Sequence, residues 1–169
     1  MDKILILNIV DDPFPECSEL VHKITKSDQN ENNIIAKYFN LVEIKNNEKS
    51  MIKALENFKN NFPKIKAIFM GTRRTDNAYT KSLKPFNKTT NNYPEFMLVN
   101  PILDWSVGDV WYFLLKNEVD YCDLYDKGFT SLGNQNKTVR NEVLKNEEGS
   151  YLPAFTVTDV NFERSNREK

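Results

Sequence analysis

Six consecutive residues, Gly71-Thr72-Arg73-Arg74-Thr75-Asp76, gather side chains that can do phosphate chemistry. Gly71 lets a backbone approach a ligand closely. Two guanidinium groups beside two hydroxyls can hold a phosphate through forked, charge-assisted hydrogen bonds. Asp76 can hold a metal ion against that phosphate. The same six residues also read as a solvated turn whose arginines pair with surface acids, and the motif alone leaves both readings open. A second polar cluster, Asp11-Asp12-Pro13-Phe14-Pro15, follows an apolar run near the start of the chain. A third group, Asp159, Glu163, Arg164 and Arg167, lies near the end, where a charged cluster taken alone reads as frayed surface. Lys127-Gly128-Phe129-Thr130-Ser131-Leu132-Gly133 is either a tight loop gripping a ligand or a connection that needs two glycines.

Other chemistries lose support. No strand is followed by GxxxxGK[ST] or GxGxxG. The single histidine, His22, sits at a helical position and reads as helix surface, so neither a Ser/His/Asp set nor a histidine-anchored metal cluster is available. Cys17 and Cys122 are far apart in sequence, form no CxxC, and read as reduced, cytosolic or nuclear thiols rather than a disulfide frame or a zinc site. Trp105, Trp111 and Tyr112 are better explained as core than as a cofactor box.

The elements that must position these groups follow a repeating order. Residues 4–10, ILILNIV, are apolar almost throughout, as in a strand buried on both faces of a parallel sheet. Leu20, Val21 and Ile24 recur at helical spacing after Pro15, and a polar loop occupies residues 27–32. Residues 38–44 alternate as a second strand. Met51, Ile52, Leu55 and Phe58 mark a second helix that Pro63 stops. Residues 67–71 give a third strand and 97–103 a further extended segment. Ser106 caps a helix to about Lys116, with Val107, Val110, Trp111, Leu114 and Leu115 on its buried side. The final third reads as ordered loops with short strands, and its many asparagines as coding bias and surface loops. This strand–helix alternation is that of an α/β fold with a mostly parallel sheet, in which ligands bind beyond the carboxyl ends of the strands.

The 169 residues fit one domain spanning 1–169, and 40% hydrophobic with 28% charged residues is ordinary globular composition. A formal net charge of −1 gives no electrostatic footprint for nucleic acid or an anionic membrane. No segment has the length of a membrane helix or the pattern of a signal peptide, so the expected location is cytoplasmic.

Several segments together resemble the eukaryotic FAD synthases. Ala67-Ile68-Phe69-Met70-Gly71-Thr72-Arg73-Arg74-Thr75-Asp76 is similar to that family's strand and GxRxTDP loop, followed by Leu83-Lys84-Pro85. Tyr93-Pro94-Glu95-Phe96-Met97 looks like its WPxFM segment, and Asn100-Pro101-Ile102-Leu103-Asp104-Trp105 like its xPLLxW. The residues from Leu124 through the KGFTSLG stretch to Gly133 match most specifically. Tyr151-Leu152-Pro153-Ala154-Phe155 with Asp159, Glu163, Arg164 and Arg167 resembles the closing YxPAW…D…ERxGR. The matches keep their order from about residue 67 onward, and Phe14-Pro15 adds a weaker one.

The resemblance implies a three-layer fold of the adenine nucleotide alpha hydrolase-like, phosphoadenosine phosphosulfate (PAPS) reductase or PP-loop type, with a loop-rich C-terminal third. It implies ATP and FMN as substrates, Mg²⁺ as cofactor, FAD and pyrophosphate as products, and flavoprotein clients as partners. Asp76 would stand near the metal and phosphates, Arg164 and Arg167 would bind phosphates, and Gly71, Arg73 and Arg74 would support them. Asp11 and Phe14 would lie near the adenosine, and Tyr93, Phe129, Thr130 and Ser131 near the flavin. Against the family pattern, Thr72 replaces an apolar residue, Thr90 an aspartate and Leu98 an arginine. Asn166 replaces the glycine of ERxGR, a mild change if that position needs a positive φ. Nothing corresponds to the family's first strand and SxGGKD loop, so the sequence reads as N-terminally truncated, with its first and third strands expected to pair directly or to expose edges. A truncated gene model, a second chain supplying that part, and a non-catalytic flavin- or nucleotide-binding relative are the three explanations. A sulfonucleotide reductase on the same fold would need a nucleophilic cysteine near the C-terminus, and Cys122 lies mid-chain.

Overall fold

The computed structural model describes residues 3–9, 14–26, 40–46 and 50–166, with side chains at 14–20 and 50–166. Asp11, Arg167 and the loop expected at 27–32 lie outside the described residues. The chain clusters into two compact units, one of residues 1–47, 120–157 and 161–169, the other of 48–119 and 158–160.

In the first unit the apolar run becomes β1 (Lys3–Ile9). It pairs in parallel with β2 (Asn40–Asn46), with Lys3 opposite Asn40 and Ile9 opposite Asn46. Parallel neighbours need a crossover connection, and α1 (Pro15–Lys26) lies within it. Proline tolerates the first helical turn because an N–H there has no intrahelical acceptor. The Phe14 carbonyl accepts the first bonds, from the Cys17 and Ser18 amides at 3.0 and 3.3 Å.

The remainder of this unit differs from the expected short strands. It runs through 3₁₀ turns at Asp123–Lys127, Gln135–Lys137, Glu142–Leu144 and Ala154–Thr156, closed over buried Leu124, Leu144, Ala154 and Val157. One isolated antiparallel bridge joins Lys145 to Tyr151. Side-chain oxygens explain the preference for turns. Asn134 accepts the Asn136 amide and Asn141 the Val143 amide, so local side-chain bonds take donors that a ladder would need.

In the second unit α2 (Met51–Asn61) buries Ala54 and Phe58 and ends just before Pro63. The strands β3 (Ala67–Phe69), β4 (Phe86–Lys88) and β5 (Met97–Val99) form a sheet in the order β3-β5-β4. β3 runs parallel to β5 and β4 antiparallel to it. The antiparallel β4 went unforeseen, since three residues carry no legible alternation. The extended segment expected to reach Leu103 stops at Val99 because Asn100–Leu103 turns, the Leu103 amide donating to the Asn100 carbonyl at 3.3 Å.

Helix α3 (Val107–Lys116) starts where the sequence placed it. The Asp109 amide donates to Ser106 Oγ at 3.1 Å and the Ser106 amide to Asp109 Oδ2 at 2.8 Å, a reciprocal capping box. Val107 and Trp111 are buried, as are Phe96 and Leu103 in the same unit. Leu115 and Tyr112, both expected inside, are exposed, Tyr112 at 64%. Each residue turns about 100° around a helix, so the stripe set by Val107 and Trp111 leaves Tyr112 facing outward.

Among the described residues the first and third strands do not pair directly: β1 pairs only with β2 and β3 only with β5. No described helix is long and apolar enough to cross a membrane.

Candidate functional site

The loop after β3 is held by its own charges. The Arg73 amide donates to Asp76 Oδ2 at 2.8 Å, the Asp76 amide donates back to the Arg73 carbonyl at 3.1 Å, and Arg73 Nη2 lies 3.5 Å from Asp76 Oδ1. Arg73 is buried, at 7% exposure. Arg74 turns the other way. Its Nε donates to Asp104 Oδ1 at 2.5 Å, and its Nη1 to the Leu83 and Lys81 carbonyls at 2.6 and 3.2 Å. Arg74 thus ties the loop to the Leu83-Lys84-Pro85 segment, whereas Arg73 and Asp76 form a compact acid–base pair. Gly71 is exposed, and a Cβ there would meet no atom within 4 Å. Thr80 Oγ1 donates to the Arg74 carbonyl at 3.1 Å from a buried position. Tyr93, in the same unit, is partly exposed and follows Asn91 and Asn92, both at positive φ.

In the first unit the KGFTSLG stretch is fixed by a buried polar network. Gly128 sits at φ +91°, and a Cβ added to it would lie 2.6 Å from Tyr151 Cβ, so glycine is required on two counts. Ser131 Oγ donates to Asn166 Oδ1 at 2.8 Å, and Thr130 Oγ1 lies 3.3 Å from the same oxygen. Asn166 Nδ2 donates to the Ser131 and Val139 carbonyls at 3.1 and 2.8 Å. Asn141 Nδ2 donates to Thr130 Oγ1 at 2.8 Å and to the Phe162 carbonyl at 2.7 Å. Thr130, Ser131, Asn141 and Asn166 are all buried. The network anchors the segment after α4 (Val160–Glu163), where Arg164 lies. Phe129 packs edge-on against Phe14, ring centroids 5.5 Å apart.

Two expectations change here. Asn166 is not among the described non-glycine residues with positive φ; its side chain, rather than backbone tolerance, is what the position uses. The frequent asparagines, read as coding bias and surface loops, include some of the most buried polar residues, Asn141 at 2% and Asn166 at 3% exposure. Sequence reasoning missed Asn141 as a site-supporting residue. Its bond to the Val143 amide is local, but the bonds that bury it run to Thr130 and the Phe162 carbonyl, distant in sequence.

No group of three or more His, Cys, Asp or Glu residues among those described could hold a metal ion. Asp76 offers a lone carboxylate already bonded to Arg73, which fits only a cation that keeps most of its waters and shares its other contacts with phosphate, as Mg²⁺ does.

Parallel β1 and β2 with α1 in their crossover, and a second sheet in which β3 runs parallel and β4 antiparallel to β5, make this an α/β protein with a Gly-Thr-Arg-Arg-Thr-Asp loop after β3. The chain belongs to the phosphoadenosine phosphosulfate reductase domain family, whose match covers residues 11–140. It is 36% identical over 157 residues to a probable FAD synthase of Schizosaccharomyces pombe, an alignment covering 92% of this chain. The chain spans 54%, about half, of that relative's length. It also superimposes on the structure of Candida glabrata FMN adenylyltransferase in complex with FMN and the ATP analog AMPCPP. There the TM-score is 0.81 and the identity 25%, covering 96% of this chain and 68% of that one. Against the same enzyme in complex with FAD and inorganic pyrophosphate the TM-score is 0.80 and the identity 26%, covering 98% and 66%.

Proposed function

We propose that this chain forms a single catalytic domain of an FMN adenylyltransferase, which joins FMN to the adenylyl part of ATP and releases pyrophosphate. The observation that carries this reading is the 36% identity to a probable FAD synthase along 92% of the chain. Superposition on a Candida glabrata enzyme solved with FMN and an ATP analog supports it.

In this reading the FMN phosphate attacks the α-phosphorus of ATP in line and pyrophosphate leaves. Such a reaction needs positioning and charge neutralisation more than a protein nucleophile. Arg164 and Arg167 bind phosphate oxygens, and the buried Asn141–Asn166 network holds Arg164's segment in place. Arg73 keeps Asp76 oriented at the turn. Mg²⁺, when bound, would neutralise phosphate charge, and Asp76 is the residue that would hold it. Asp11 and Phe14 would serve the adenosine, and Tyr93, Phe129, Thr130 and Ser131 the flavin. Arg74 supports the phosphate loop, and Gly71 leaves its backbone open to a ligand. Cytoplasmic flavoproteins would receive the product.

Incubating the purified chain with FMN and α-labelled ATP, then separating the flavins, tests this directly. Labelled FAD formed in proportion to enzyme supports the reading. Binding of FMN and ATP with no FAD, even at high enzyme concentration, would replace it with that of a non-catalytic flavin- or nucleotide-binding protein.

A further inference from the structure

The two cysteines, 105 positions apart in sequence, meet in the first unit, with Cys17 Sγ lying 3.7 Å from Cys122 Sγ. Cys17 is half-buried in the first turn of α1, and Cys122 is buried as the residue that opens the Asp123–Lys127 turn. Neither thiol is among the residues given a role in the proposed adenylyl transfer. A disulfide needs the sulfurs about 2.05 Å apart, so the pair must close by somewhat under 2 Å, which side-chain rotation with a small backbone adjustment can supply.

We propose that Cys17 and Cys122 are a redox site that closes to a reversible intramolecular disulfide, fastening the first turn of α1 to the segment that leads into Gly128-Phe129. The aromatic pair Phe14 and Phe129 already spans these two segments, so the covalent link would lock a contact the fold makes without it.

The surroundings select the oxidant. A groove of about 400 Å³ beside Cys122 carries four carboxylates, Glu16, Glu19, Asp120 and Asp123. That charge repels anionic disulfides and draws in cationic ones. Burial, followed by the neighbouring Cys122, pushes the Cys17 thiol up to about 12, so thiolate is scarce at neutral pH and exchange is slow without such attraction. In the first step the more exposed Cys17 loses its proton and attacks one sulfur of a small cationic disulfide. A mixed disulfide forms and one aminothiol leaves. Cys122 then loses its proton and attacks the Cys17 sulfur, expelling the second aminothiol. Two protein thiols are oxidised to one disulfide, and the small disulfide is reduced to two thiols.

The test uses the full native chain with cystamine, a cationic disulfide, beside oxidised glutathione, an anionic one, followed by alkylation and peptide mapping. The expected result is a Cys17 peptide joined to a Cys122 peptide, both thiols lost together, a monomer on a non-reducing gel, and full reversal by dithiothreitol. Cystamine should react roughly tenfold faster than oxidised glutathione at low salt. A stable aminothiol adduct on Cys17 with Cys122 still free, or cross-links only between chains, would overturn the proposal. In Cys17→Ser the adduct and the link should both disappear. A Cys122 that oxidised at the wild-type rate in that variant would count equally against it.

Discussion

The Ser131 hydroxyl donates to the carboxamide oxygen of Asn166 at 2.8 Å, and the amide side of the same group returns to the Ser131 carbonyl at 3.1 Å. Two residues 35 positions apart are thereby latched on both polar faces of one buried side chain. Asn166→Ala removes both faces at once, taking an acceptor from the Ser131 hydroxyl and a donor from the Ser131 and Val139 carbonyls. The expected loss is about 1–3 kcal/mol of stability, read as a lower denaturant midpoint. Asn166→Gly, which restores the family's residue, should lose as much, because no glycine supplies a carboxamide. Unchanged stability in Asn166→Gly would show that water or backbone replaces the latch.

Gly128 makes a second, steric demand on the same stretch. At φ +91°, with Tyr151 Cβ 2.6 Å from where its own Cβ would stand, Gly128→Ala meets backbone strain and a collision together. The strain alone costs about 1–3 kcal/mol, and the collision adds to it. Tyr151→Ala removes the ring carbons that would lie at 2.7 and 2.8 Å but keeps Cβ at 2.6 Å and leaves the backbone strain, so the double variant Gly128→Ala/Tyr151→Ala should recover only part of the loss. Thermal melts of the single and double variants decide this, and near-complete recovery would mean that the tyrosine ring, not the backbone, was the obstacle.

What the sequence made legible is what local physics writes into it. The apolar run of β1, the proline opening α1 and the Ser106–Asp109 box at α3 each rest on neighbouring residues, and each is found where it was read. The KGFTSLG stretch stood out by its two glycines and by resemblance, but not the collision that requires Gly128, since Tyr151 reaches it from a distant part of the chain. For the same reason neither Asn141 nor the side chain of Asn166 was legible as part of a buried network. An asparagine carries no local mark of burial, because its partners are hydroxyls and carbonyls far away in sequence. The Cys17–Cys122 approach was equally unreadable, and β4 was too short to show a period.

Tyr151 also sets an acid-side pH dependence. Its hydroxyl donates to Glu142 Oε1 at 2.5 Å, and this bond, ahead of Lys145, holds the Glu142 carboxyl below its ordinary value of 4.5. A depressed folded-state pKa stabilises the protein above the unfolded value, and that contribution is lost as pH falls through the lower folded value. Stability from this pair should therefore be complete above about pH 5 and decline below 4.5. Tyr151→Phe keeps the ring that faces Arg140 but removes the hydroxyl. Carboxyl NMR should then show Glu142 titrating nearer 4.5, and an unmoved titration would assign the depression to Lys145 instead.

The arginines of the two units should separate by readout. Arg74 gives its donors to Asp104 and to the Leu83 and Lys81 carbonyls, so its side chain acts on the loop rather than on a ligand. The Asp104 pair is largely exposed, at 37% and 68%, and contributes about 0–1 kcal/mol; the carbonyl bonds contribute about 1 kcal/mol more. Arg74→Ala should thus lower the melting temperature, while its remaining activity, per folded molecule, falls less than in the variant at the other arginine. That variant, Arg164→Ala, should melt close to wild type and lose turnover by about 10- to 150-fold, the kinetic equivalent of one charge-assisted phosphate contact of about 1.5–3 kcal/mol. A normal kcat and KM for Arg164→Ala would take the C-terminal arginine out of the proposed phosphate site and return that role to Arg73.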